Sequence, residues 1–136
     1  MKFIHTLLIV NCVILLAFSH IGDSYFKPKR HPLVTALRKQ SQLNHITMDS
    51  EKASVIMYHV PECKHCSIVY DEFLIEVAEM MEGMIEVFHL NCEWWNELEA
   101  LGDVNTLSVC SKPFRKKLPR VMVYQPPVPR LDVRTQ

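Results

Sequence analysis

The sequence has no surplus of charge: 15 lysines and arginines balance 15 aspartates and glutamates across 136 residues. A chain without net charge exerts no long-range pull on nucleic acid or on an acidic membrane surface, so neither is expected as a partner. It also lacks a long hydrophobic run. The most apolar stretch, residues 7–18, covers 12 positions, whereas spanning a bilayer takes about 20. The length leaves room for one domain with a modest core and no second. A content of 49% hydrophobic and 22% charged residues is that of a globular protein. A second closely spaced cysteine pair is missing as well: Cys63 and Cys66 are separated by two residues, while Cys92 and Cys110 lie 18 apart. Structural zinc sites usually show two such pairs, so a zinc site built from these thiols, or from three of them with His65 or His89, is the weaker reading. No metal or other cofactor is expected. Function must come from a local site.

Residues 1–19 read as a secretory signal. Met1-Lys2 supplies the short positive region, residues 7–18 the apolar core, and Ala17-Phe18-Ser19 a small-x-small cleavage pattern releasing a chain that starts at His20. The competing reading, an uncleaved anchor, has an apolar core too short to span a bilayer. Cleavage leaves 14 basic against 15 acidic residues and removes Cys12, so four cysteines stay: Cys63, Cys66, Cys92 and Cys110. In an oxidising compartment four cysteines permit two disulfides in three pairings. Local closure of Cys63 with Cys66 leaves Cys92 with Cys110.

What the sequence does carry is Pro61-Glu62-Cys63-Lys64-His65-Cys66 directly after the apolar, β-branched run 53–60. A Cys-x-x-Cys at a strand-to-helix junction is a redox signature. Its first thiol, near free backbone N–H groups and a helix dipole, has a stabilised thiolate. Cys63 is then the attacking thiol and Cys66 the resolving one. Residues 67–81 have helical spacing, with Val69, Phe73, Val77 and Met80 on one face and Glu72, Glu76 and Glu79 on the other. Gly83 stops that helix, and residues 84–91 read as a second strand. The two strands and the helix make a βαβ unit with parallel strands, and the cysteine pair lies beyond the carboxyl end of the first strand, where open α/β sheets place their sites. Ahead of this unit, residues 20–50 form a polar leader with one short helix expected over 33–43, and residues 51–136 form the domain proper.

The run Val60-Pro61-Glu62-Cys63-Lys64-His65-Cys66 resembles the Ala-Pro-Trp-Cys-Gly-His-Cys of the protein disulfide isomerase branch of the thioredoxin family. Val87-Phe88-His89-Leu90-Asn91-Cys92 is similar to the strand that follows in that family, and Leu118-Pro119-Arg120-Val121-Met122-Val123-Tyr124 to its cis-proline strand. Cys110 stands nine residues before Pro119, where many such domains have a second non-catalytic cysteine. The resemblance covers residues 53–126. It implies an α/β thioredoxin-like fold, a central mixed sheet flanked by helices, with the usual last helix missing or truncated at this C-terminus. It implies a cis bond before Pro119, with Leu118, Pro119 and Arg120 forming the loop that pairs with substrate, and a structural Cys92–Cys110 bridge. It also implies thiol–disulfide exchange with protein or peptide thiols in the endoplasmic reticulum lumen or outside the cell, without stable membrane insertion once the signal is cleaved.

Departures from the pattern weigh on activity. Glu62 replaces the usual tryptophan, and a carboxylate beside a thiol disfavours the thiolate, whereas Lys64, in place of glycine, and His65 favour it. Met57 stands where active relatives carry a buried acid that relays protons for the resolving thiol, and Asp71 where they carry a helix proline. Residues 93–109 are longer than the family's usual connection. Within them Trp94, Trp95, Leu98 and Leu101 have helical spacing, which suits packing on the sheet more often than client binding. Met80, Met81 and Met84 are expected to fill core for the same reason. Lys112, Arg115, Lys116, Lys117 and Arg120 form a basic run around Pro119: either a thiolate-favouring patch beside the redox pair or a solvated loop. The alternative to an oxidoreductase is a non-catalytic client-binding module in which the Cys63–Cys66 disulfide is structural.

Overall fold

The computed structural model describes residues 25–126, together with Ile4, Thr6 and Ile9. The signal reading over residues 1–19 and an edge strand expected from Leu131 therefore fall outside the described residues, apart from those three positions. Among the described residues no helix is long and apolar enough to cross a membrane.

Seven consecutive residues with strong strand preference, Ala53–His59, form β2, and all but the first are buried. Burial on both faces requires neighbours on both edges. β2 has them: β3 (Ile85–Asn91) runs parallel to it, with Ala53 opposite Ile85 and His59 opposite Asn91, and β4 (Arg120–Tyr124) runs antiparallel, with Tyr58 opposite Arg120. A three-residue edge strand, β1 (Val34–Ala36), adds parallel to β3 and gives the order β1-β3-β2-β4. A mixed sheet of this order, with a helix connecting parallel β2 to β3, is a thioredoxin-like α/β fold. Among the described residues no helix follows β4.

Residues 33–43 differ from the single helix expected of them. Val34–Ala36 pairs with Val87, Phe88 and His89, and only Gln40–Asn44 is helical, continuing as a π turn over His45–Asp49; we term this α1. Three residues are too few to show a strand period, and the apolar positions Leu33, Leu37 and Leu43 fit a helical one by coincidence. The ordered unit thus reaches back well before residue 51, to Phe26, whose side chain is part of the core.

Helix α2 occupies residues 66–80 and is not regular. It is α-helical over Cys66–Ile68, π-helical over Val69–Leu74 and α-helical again over Ile75–Met80. Its inward face is Cys66, Tyr70, Leu74 and Ala78, spaced by four. Phe73 and Met80, expected inward, are 49% and 76% exposed. The wider π turn delays the helix by part of a residue, so a stripe read at 3.6 residues per turn lands on the wrong side. Met81 and Met84 face solvent too, and the three methionines fill no core. Gly83 follows at φ +79°, and a side chain there would meet nothing within 4 Å, so the left-handed backbone alone calls for glycine.

After β3, the Asn91 side chain accepts a hydrogen bond from the Glu93 amide and caps α3 (Cys92–Ala100). Trp95 is fully buried, and its indole N–H donates to the Asn105 carbonyl at 3.0 Å. Leu101 is 75% exposed, so the expected four-residue apolar stripe stops short. Cys92 is joined to Cys110, in a 3-10 turn at Ser108–Cys110, with Cα atoms 5.0 Å apart. The short helix α4 (Lys112–Arg115) leads from there to β4.

Candidate functional site

The chain turns sharply where β2 ends. The Cys63 amide donates back to the Val60 carbonyl at 3.3 Å, Cys66 opens α2, and the Cys63–Cys66 disulfide closes with Cα atoms 5.4 Å apart. The first intrahelical bond is Val69 N–H to His65 O, so the amides of the first turn have no helical partner and present their positive end near the disulfide. The two sulfurs are not equivalent. Cys66 is wholly buried, whereas Cys63 is 8% exposed and lines a small cavity of about 160 Å³. An incoming thiolate can reach Cys63 only. Lys64 and His65, between them, are exposed.

The Leu118–Pro119 bond is cis. Since Arg120 pairs with Tyr58, Leu118 and Pro119 lie at the end of the sheet where β2 gives way to the cysteine turn. Leu118 packs on the core and Arg120 is exposed. Of the basic run, Arg115 meets the cysteine turn directly: its guanidinium donates to Glu62 Oε2 at 3.0 Å and lies 3.7 Å from Glu93 Oε1. Glu62's charge is thereby partly countered, in a pair exposed enough to add at most about 1 kcal/mol of stability. Lys117 instead lies over the Phe114 ring, 5.4 Å from its centroid.

Met57 is fully buried, and no carboxylate is buried among the described residues. The buried ionisable groups are histidines, which sequence reasoning missed as a pair. His59 Nε2 and His89 Nδ1 are 2.9 Å apart. Burial, and then each ring's surroundings, keep both neutral: His59 is pushed down to about 3 by desolvation and by His89, and His89 to about 4 by desolvation and by Arg38. His59 Nδ1 is buried without a hydrogen-bond partner. The signal was present as two histidines in otherwise apolar strands, but joining them needs the β2–β3 register, in which Met57 faces His89.

The leader crosses this end of the sheet. The Phe26 amide donates to the Pro61 carbonyl at 2.6 Å, and the Phe26 ring sits edge-on to His59 and Tyr70, at 5.1 and 5.9 Å between centroids. Tyr70 OH donates to the Lys29 carbonyl at 2.6 Å.

A thioredoxin-like fold holding a strained-free choice between one reachable and one buried cysteine at a helix start is a thiol–disulfide exchange centre in the general sense. No protein-family model matches the sequence, and no curated protein matches it. Among solved structures, the chain is similar to the J-Trx1 fragment of ERdj5, with 16% identity and a TM-score of 0.49, over 72% of this chain and 40% of that one. It is similar to the Trx4 domain of ERdj5, with 17% identity and a TM-score of 0.46, over 68% and 70% of the two chains. The thioredoxin of Malassezia sympodialis (Mala s 13) gives 11% identity and a TM-score of 0.47, over 74% and 76%.

Proposed function

We propose that the protein is a thiol–disulfide oxidoreductase of the protein disulfide isomerase kind, acting on protein or peptide thiols in the endoplasmic reticulum lumen or outside the cell. The observation that carries the reading is the unequal exposure of the pair: Cys63 reachable, Cys66 sealed, at the start of α2. Cys63 is the nucleophile, Cys66 the resolving thiol, Lys64 and His65 favour the Cys63 thiolate, and Leu118, Pro119 and Arg120 offer backbone to an extended substrate. The secretory setting is supported by the signal-like residues 1–19 and by a second disulfide, Cys92–Cys110, far from the reactive turn in sequence.

In the oxidising direction a substrate thiolate attacks Cys63 Sγ, the Cys63–Cys66 bond breaks, and Cys66 leaves as thiolate. A second substrate thiolate then attacks the substrate sulfur of the mixed disulfide and Cys63 departs reduced. The substrate loses two electrons and two protons to the pair. The test is a dithiothreitol redox titration of the purified protein combined with turnover of a protein disulfide, with Cys63→Ser as control. A reversible two-electron couple with Cys63-dependent turnover is expected; absence of any couple refutes the reading. A second reading, a client-binding module with a structural Cys63–Cys66 bond, is favoured by buried Met57 where active relatives carry an acid, and predicts a couple without turnover.

A further inference from the structure

The larger concavity of the described residues lies beside the redox turn, and its charge is one-sided. It has a volume of about 910 Å³, which is the size of a small-molecule site. Lys27, Lys29, Arg30 and Arg38 line it, and no aspartate or glutamate does. The chain as a whole carries no net charge, so this clustering is local. None of the four cations takes part in an ion pair among the described residues, although Arg115 and His31 both find carboxylates. Two of the four are held in place. Arg38 stacks on the Trp94 ring at 5.2 Å, and the Lys29 backbone is tied to Tyr70 OH. The wall between them is Tyr70, Trp94, and the neutral pair His59 and His89. Because unpaired cations over a low-dielectric wall concentrate anions, the empty partner of this groove is negative.

The groove continues into the small cavity that Cys63 lines: Lys27, Lys29 and Tyr70 belong to both. A molecule held by its anionic groups in the larger space would present another part of itself to Cys63. We propose that the groove binds small disulfides that carry carboxylates, of about tripeptide-dimer size, and delivers their sulfur to Cys63. This rests on the exchange reading above and names a substrate class for it. The Cys63 thiolate attacks one sulfur, the substrate S–S bond breaks and one half leaves as thiolate. Cys66 thiolate then attacks Cys63 Sγ and expels the other half. The substrate gains two electrons and two protons, and the chain is left as the Cys63–Cys66 disulfide.

The experiment compares kcat/KM of the reduced protein toward three probes: glutathione disulfide (anionic), bis(2-hydroxyethyl) disulfide (neutral) and cystamine (cationic). In 50 mM salt glutathione disulfide is expected to exceed cystamine by at least about tenfold, the equivalent of one partly buried ion pair, and the preference should shrink severalfold in 500 mM salt. In Arg30→Gln/Arg38→Gln the ratio of glutathione disulfide to bis(2-hydroxyethyl) disulfide should fall about tenfold. Lys52→Gln, exposed ahead of the opposite end of β2, should leave that ratio unchanged. Equal rates for the three probes, or a preference that neither salt nor the double variant reduces, overturn the proposal while leaving exchange itself intact. If all three probes are inert, the exchange reading and this proposal fall together.

Discussion

Lowering the pH should weaken the fold through two rings. His59 and His89 are neutral when folded, with values near 3 and 4, against 6.5 for an ordinary histidine. Both folded values lie below the unfolded one, so on acidification the unfolded chain takes up protons first, and stability present above pH 6.5 is lost as pH falls toward 4. At pH 5.0 each ring lies about 1.5 units under its unfolded value, worth about 2 kcal/mol. His89 is partly exposed, which trims its share, so about 3 kcal/mol is expected for the pair, a large fraction of the roughly 5–15 kcal/mol that holds a domain together. Stopping at pH 5.0 keeps most carboxylates ionised, since their reference values are about 4. The assay is urea denaturation of the oxidised protein at pH 7.5, 6.5, 5.75 and 5.0, with the denaturant slope checked for constancy. The double variant His59→Phe/His89→Leu should lose less than about 1 kcal/mol over the same range. If wild type keeps its pH 7.5 stability to within about 0.5 kcal/mol at pH 5.0, or if the double variant loses as much as wild type, the buried neutral pair is refuted.

Trp95→Ala removes a fully buried indole and leaves the Asn105 carbonyl without its donor, and should cost about 3–5 kcal/mol in the same denaturation assay. Replacing Cys92 and Cys110 together with alanine opens an 18-residue loop, which loop entropy values at about 3 kcal/mol, and should leave the redox couple of the Cys63–Cys66 pair in place.

The strand, turn and helix around the cysteines were legible because each announces itself locally. The run Val55-Ile56-Met57-Tyr58 has no polar interruption, Pro61 ends it, and two thiols at a fixed spacing follow. The mixed sheet followed from the resemblance, through the Pro119 strand, more than from any period. What stayed hidden depends on distant partners. Val34–Ala36 is a strand only because β3 offers it an edge. His59 and His89 are unremarkable residues 30 apart until the parallel register sets them side by side. The leader read as a solvated tail because Phe26 is its one core residue, and nothing near it in sequence shows that its partners are Pro61, His59 and Tyr70. The groove cations were counted as a polar leader cluster for the same reason: charge on a line of sequence does not show curvature.

The π turn in α2 has a consequence for how this chain's variants are compared. Cys66, Tyr70, Leu74 and Ala78 keep a strict spacing of four because residues 69–74 hold more chain per turn than an α-helix does. Deleting one residue from that stretch would restore a regular helix, keep Cys66 against the sheet, and swing everything after it by about 100°. Ala78 would then leave the interface and a longer neighbour would enter it. Length in this segment is therefore under tighter constraint than identity: a change of residue at an exposed position such as Phe73 costs little, whereas a single-codon deletion re-sorts the whole second half of the helix.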